Sequence, residues 1–161
     1  GFIYAAFDNR VNILTSLDLV LVGNDTYTAL YEIIDFQGNV YLGTIIGRSL
    51  EFHLAKIQIN LNAATTKTKP MTIADHIPLV NEPVIMLSNY RKFRNSMTMG
   101  LVVETSINSL VTTLNYDINS MGGVILNIEG EVVGMISLLS KDELFVIGID
   151  GIRAYLYLPA V

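Results

Sequence analysis

The chemistry open to this chain is narrow. It holds two histidines, His53 and His76, and no cysteine. The imidazoles are therefore the side chains that ordinarily titrate near neutral pH, and neither disulfides nor thiol chemistry is possible. The densest chemical stretch is Asn119-Ser120-Met121-Gly122-Gly123, a tight glycine-containing loop. Ser120 is its one hydroxyl. A serine attacks an acyl carbon efficiently only where an imidazole takes its proton and a carboxylate orients that imidazole. The paired glycines have no Lys-Ser/Thr behind them and open no helix, so the loop is not a phosphate cradle. Asp75-His76 is a lone adjacent pair without ligand spacing, and His76 reads as a surface residue. No metal and no cofactor are expected.

The elements that must position these residues read as strands. Val124–Ile128 is apolar and largely β-branched, Glu129-Gly130 supplies a turn, and Glu131–Ile136 runs back, so the loop feeds a β-hairpin. Phe2–Phe7 and Val11–Thr15 flank a turn at Asp8-Asn9-Arg10. Gly23-Asn24-Asp25 reads as a loop. Tyr27–Ile34 and Asn39–Ile46 flank Gln37-Gly38. Val84–Ser88, Met97–Glu104, Ile107–Thr113 and Leu144–Gly148 complete the pattern, and Ile152–Leu158 is expected to start a terminal helix. Asn60–Glu82 is a polar break carrying Thr65-Thr66-Lys67-Thr68-Lys69-Pro70. A meander of short strands favours an all-β barrel architecture over helical crossovers.

The chain has 161 residues, 51% hydrophobic and 16% charged, with net charge −5. That suffices for one domain or for two small barrels sharing an interface. The acidic balance argues against a nucleic-acid partner. Arg91, Lys92 and Arg94 form a short basic cluster, read as a solvated loop. No apolar run approaches the roughly eighteen residues of a transmembrane helix, so no membrane span is expected. The chain opens on Gly1 rather than Met and shows no signal peptide, so it is expected to be a piece of something longer.

Gly130-Glu131-Val132-Val133-Gly134, with Gly122-Gly123 ahead of it, resembles a segment of the chymotrypsin-like serine proteases, most closely the HtrA/Deg group. There the loop reads G-N-S-G-G-P and the strand after it G-E-V-I-G. The ungapped match puts Met121 at the nucleophile. Ile13-Leu14-Thr15-Ser16-Leu17-Asp18-Leu19-Val20 resembles I-L-T-N-N-H-V-V and puts Asp18 at the histidine. Gly47–Ile57 resembles G-R-D-P-x-x-D-L-A-L-L and puts His53 at the aspartate. The family's helix and strand before the first hairpin have no counterpart, which would leave the N-terminal barrel incomplete.

The resemblance implies an all-β, chymotrypsin-like fold of two antiparallel β-barrels. Residues 1–62 would form the first, 63–80 the connection and 81–161 the second. It implies an inactive enzyme, a pseudoprotease, because all three triad positions are replaced. Its role would be that of a structural or protein- or peptide-binding module within a larger protein, with any oligomer formed through segments outside this chain. Asn119, Met121 and Gly122 would form a vestigial oxyanion loop. The alternative is a serine hydrolase with a non-standard centre, in which a one-residue slip brings Ser120 to the nucleophile position. Asp18, His53 and Met121 make a poor metal set. Asp117 is expected to be an ordinary loop residue. Asp18 and His53 exchange an acid and an imidazole between two facing positions, so a carboxylate–imidazole hydrogen bond of about 2.7–3.2 Å is expected.

Overall fold

The computed structural model describes residues 1–20, 29–61, 69–140 and 143–157. Its strands are β1 (Phe2–Ala6), β2 (Arg10–Ser16), β3 (Tyr31–Ile34), β4 (Val40–Ser49), β5 (Leu54–Asn60), β6 (Pro83–Ser88), β7 (Ser96–Thr105), β8 (Leu110–Thr112), β9 (Val124–Leu126), β10 (Val132–Ser140) and β11 (Glu143–Gly148). One helix follows, α1 (Ile149–Tyr157). The strands form two antiparallel sheets. The first has five strands in the order β1-β2-β5-β4-β3, and the second six in the order β11-β10-β9-β6-β7-β8. A bridge between Ser109 and Ile147 brings the edges of the second sheet together into a nearly closed barrel. Of the two antiparallel β-barrels expected, both sheets are present, all-β and antiparallel; the second is nearly closed, and the first, expected to be incomplete, is a five-stranded sheet.

Strand sequence and burial agree in physical terms. Val132–Ser137 is a continuous apolar run ending in a serine, and every residue of it is buried. Such a run needs cover on both faces of the sheet. Val133 and Ile136 face the core inside the second barrel, with Val84, Met86 and Ile125. Val132 and Met135 face the opposite way, into a second cluster with Leu14, Leu54, Ile147 and Ile152. That cluster draws on both sheets and on α1. Each side chain of this kind contributes about 1.5–3 kcal/mol on burial, against roughly 1 kcal/mol for a hydrogen bond. Apolar packing is thus the main term joining the sheets. The helix buries Ile149, Ile152 and Tyr155, one face at helical spacing.

Several boundaries differ from the expectations. The third strand is Tyr31–Ile34; Tyr27 and Thr28 of the expected strand lie outside the described residues, as do the Gly23-Asn24-Asp25 loop and Thr65–Thr68. The strand expected over Ile107–Thr113 is only Leu110–Thr112, because Ser106 and Ser109 close a turn, with the Ser106 amide donating to the Ser109 carbonyl at 2.9 Å. The terminal helix starts at Ile149, ahead of Ile152. The two hairpin turns fall as read: Gly38 (φ 88°) and Gly130 (φ 80°) take left-handed backbone that glycine adopts without strain.

Candidate functional site

Asp18 lies in a single 3-10 turn, Leu17–Leu19, directly after β2. His53 ends the tight turn between β4 and β5 and has left-handed backbone, φ 52°. The two segments are tied main chain to main chain, the Leu17 amide donating to the His53 carbonyl at 2.9 Å. The loop carrying Met121 packs against the first of them. A Cβ placed on Gly122 would sit 2.6 Å from Leu19 Cδ1 and 3.1 Å from Thr15 Oγ1. The three positions matched from sequence therefore converge through their backbones and neighbours.

Their side chains do not form the expected pair. No hydrogen bond or ion pair joins Asp18 to His53, and Asp18 Oδ2 is shut off from solvent without a hydrogen-bond partner. The His53 ring instead stands edge-on to Phe145, centroids 5.7 Å apart at 84°. The left-handed turn at His53 accompanies this placement, with the imidazole against an aromatic from β11 rather than against Asp18. The exchange of acid and imidazole was legible in the sequence; the contact inferred from it was not formed.

The loop before β9 is a 3-10 turn, Ile118–Ser120, organised by Asp117. Asp117 Oδ1 accepts from the Asn119 amide at 3.0 Å, and the Asp117 amide donates to Ser120 Oγ at 3.2 Å, a reciprocal cap. Asp117 Oδ2 also accepts from the Arg91 amide at 3.2 Å, tying in the β6–β7 loop. Partial desolvation pushes the Asp117 carboxyl up. The hydrogen bonds from Asn119, Arg91 and Ser120 outweigh it and hold the group below the ordinary carboxylate range. Asp117 is thus the organiser of this loop, more than the ordinary loop residue expected. An Asp-x-x-Ser capping pattern was the available signal.

The same bonds decide what the loop offers a ligand. The Asn119 amide is taken by Asp117, and the Met121 amide points back to the Ile118 carbonyl at 3.4 Å. The Gly122 amide donates to Ile136 and the Gly123 amide to Ser120. An oxyanion hole needs donors aimed at an empty point, and these donors are engaged inside the protein. Ser120 is fully buried, with its hydroxyl beside Asp117 Oδ1 at 3.3 Å and no imidazole hydrogen-bonded to it. Met121 is half-buried.

Sequence reasoning missed a second feature. Ser16, at the end of β2, and Ser137, in β10, meet hydroxyl to hydroxyl at 2.7 Å, and Ser137 Oγ also donates to the His53 carbonyl at 3.1 Å. No local pattern marks a contact between segments so far apart in the chain. His76 lies elsewhere, exposed, its Nδ1 2.7 Å from Asp75 Oδ1. That hydrogen bond raises the His76 pKa and lowers that of Asp75. His76 also borders a small cavity of about 120 Å³ with Glu82 and Glu129. A larger, shallow depression of about 540 Å³ lies beside the 3-10 turn, lined by Tyr116, Asp117, Ile118, Glu143 and Leu144. No group of three or more metal-ligating side chains occurs among the described residues.

No family model and no curated protein matches the sequence. Solved structures do match the fold. The structure described as the serine endoprotease from Yersinia pestis superposes with TM-score 0.72 at 18% identity, over 95% of this chain and 53% of that one. Deg5 superposes with TM-score 0.74 at 17% identity, over 98% of this chain and 82% of that one. The fold is that of the trypsin-like serine endoproteases. At these identities the likeness is one of fold, and this chain spans about half the length of the Yersinia endoprotease. The Asp18 turn, the His53 turn and the 117–123 loop lie together at the junction of the two sheets.

Proposed function

We propose that this chain is a catalytically inactive, HtrA/Deg-like pseudoprotease domain that serves a larger protein as a structural or peptide-binding module. The observation that carries the reading is the state of the matched centre. Asp18, His53 and Met121 are the residues that the sequence resemblance matches to the triad, and Asp18 and His53 make no hydrogen bond to each other. A thioether has no proton to surrender and attacks amides poorly, and a carboxylate is a far weaker base than imidazole at neutral pH. The donors of Asn119 and Met121 are committed internally. Such a centre lacks nucleophile, base and oxyanion hole together. The depression at Tyr116–Ile118 and Glu143 remains open to a side chain of an extended peptide, and its two carboxylates favour a basic one.

Labelling with a fluorophosphonate, together with turnover of unfolded casein, tests this. No label and no turnover are expected. Labelling at Ser120, with turnover abolished by Ser120→Ala, would establish the hydrolase alternative instead.

A further inference from the structure

The β6–β7 hairpin differs in character from the rest of the molecule. The chain carries net charge −5, yet residues 83–103 contain no Asp or Glu and three of the ten Lys and Arg residues, Arg91, Lys92 and Arg94. All three are exposed at the hairpin tip. Between them sits Phe93, 70% exposed. From the tip, β7 turns Met97, Met99, Leu101 and Val103 outward, each exposed, while Val102 points into the barrel core. Strand alternation puts these four on one face over about 20 Å. Leu87, the β6 partner of Met97, extends the same face and is also exposed.

Outward positions of a solvated antiparallel strand are ordinarily polar. An exposed apolar stripe marks an interaction surface; here the cations cluster at its hairpin end, and Glu82 and Glu104 lie at the other. Asp117 and Asp35, kept ionised by their hydrogen bonds, offset part of the charge of Arg91, Lys92 and Arg94 and leave the tip a cationic excess. We propose that the β6–β7 hairpin docks the domain onto an anionic lipid bilayer. Phe93 and Met97 enter the headgroup–acyl boundary, and Arg91, Lys92 and Arg94 meet the lipid phosphates.

Two features favour a bilayer over a protein partner. Neither cavity described above is lined by any of these residues. A bound helix or peptide wants a groove, whereas a fluid interface conforms to a flat or convex face. An aromatic ring flanked by cations is also the composition that anchors at an anionic headgroup layer. This surface is peripheral; no helix among the described residues is long and apolar enough to cross a membrane.

The test is flotation of the full chain with vesicles of phosphatidylcholine alone or mixed with phosphatidylserine, at low and high salt. Flotation is expected with the anionic vesicles alone, fading as salt rises. Lys92→Asn with Arg94→Gln should weaken it by about fivefold per charge removed. Phe93→Ser with Met97→Thr should weaken it without altering the circular dichroism spectrum, since both side chains are exposed. Wild-type binding by both variants, equal flotation with neutral vesicles, or no flotation at all would overturn the proposal. Binding of an acidic, leucine-containing peptide in place of vesicles would make this face a protein-docking surface instead and equally overturn it.

Discussion

Ser16 and Ser137 lie 121 positions apart in the chain and 2.7 Å apart at their hydroxyl oxygens. Both are fully buried. One belongs to β2 of the first sheet and the other to β10 of the second, and Ser137 reaches on to the His53 carbonyl. The pair is a polar rivet in an otherwise apolar junction. A buried hydroxyl left without its partner costs about 1–3 kcal/mol. Ser137→Ala removes a donor from the His53 carbonyl and orphans Ser16, so a loss of that size is expected in denaturant unfolding. Ser16→Ala combined with Ser137→Ala should cost less than the two single changes added, because the orphaned partner is gone. Strict additivity would show that the hydroxyls do not act on one another.

Gly122 couples the loop to the Asp18 turn. Its φ of 80° costs an alanine about 1–2 kcal/mol, and a Cβ there would also meet Leu19 Cδ1 at 2.6 Å. Gly130 has the same φ and open space around it. Gly130→Ala should therefore show the conformational cost alone, and Gly122→Ala that cost plus displacement of Leu19. Equal losses in thermal unfolding would mean that Leu19 swings aside freely.

The contrast between these glycines shows where sequence reading succeeds and where it stops. Gly130 sits in a two-strand turn announced by its neighbours, so the hairpin and the all-β class were legible from local pattern, while the order of strands in each sheet was not. Asp18, His53 and Met121 were assigned to one place by the resemblance of their segments to the protease motifs. The orientation of His53 was not legible, because it depends on a left-handed turn and on Phe145, a residue far along the chain. The Ser16–Ser137 contact left no trace for the same reason. Asp117 was read as a loop residue, which it is; its capping role went unread although the signal was local.

His76 should titrate above the ordinary histidine range. The hydrogen bond that His76 Nδ1–H donates to Asp75 Oδ1 raises the His76 pKa, with Glu82 and Glu131 adding to it more weakly. A raised histidine pKa stabilises the folded state fully below its unfolded value, near ~6.5. That contribution fades as pH rises through the folded value. With both groups exposed, the effect on stability is slight, so the direct measurement is the imidazole resonance. His76 should titrate above the ordinary histidine value, and Asp75→Asn should return it there. An unchanged midpoint in Asp75→Asn would contradict the pairing.

Placing a triad at the three matched positions by Asp18→His, His53→Asp and Met121→Ser supplies nucleophile, base and orienter by type. It does not restore the rest of the machinery. The Asn119 amide still donates to Asp117 Oδ1 at 3.0 Å and the residue 121 amide still faces the Ile118 carbonyl at 3.4 Å. Loss of a single oxyanion donor costs about 10²–10³ in rate, and here both are occupied. The left-handed turn at position 53 further directs that side chain toward Phe145 rather than toward position 18. The triple variant is therefore expected to leave casein turnover at background. Adding Asp117→Ala removes the acceptor that holds the Asn119 amide and the cap that holds the turn, and any turnover should emerge first in that background. Hydrolysis by the triple variant alone would show that the loop opens readily and that the Asp117 cap is no barrier to catalysis.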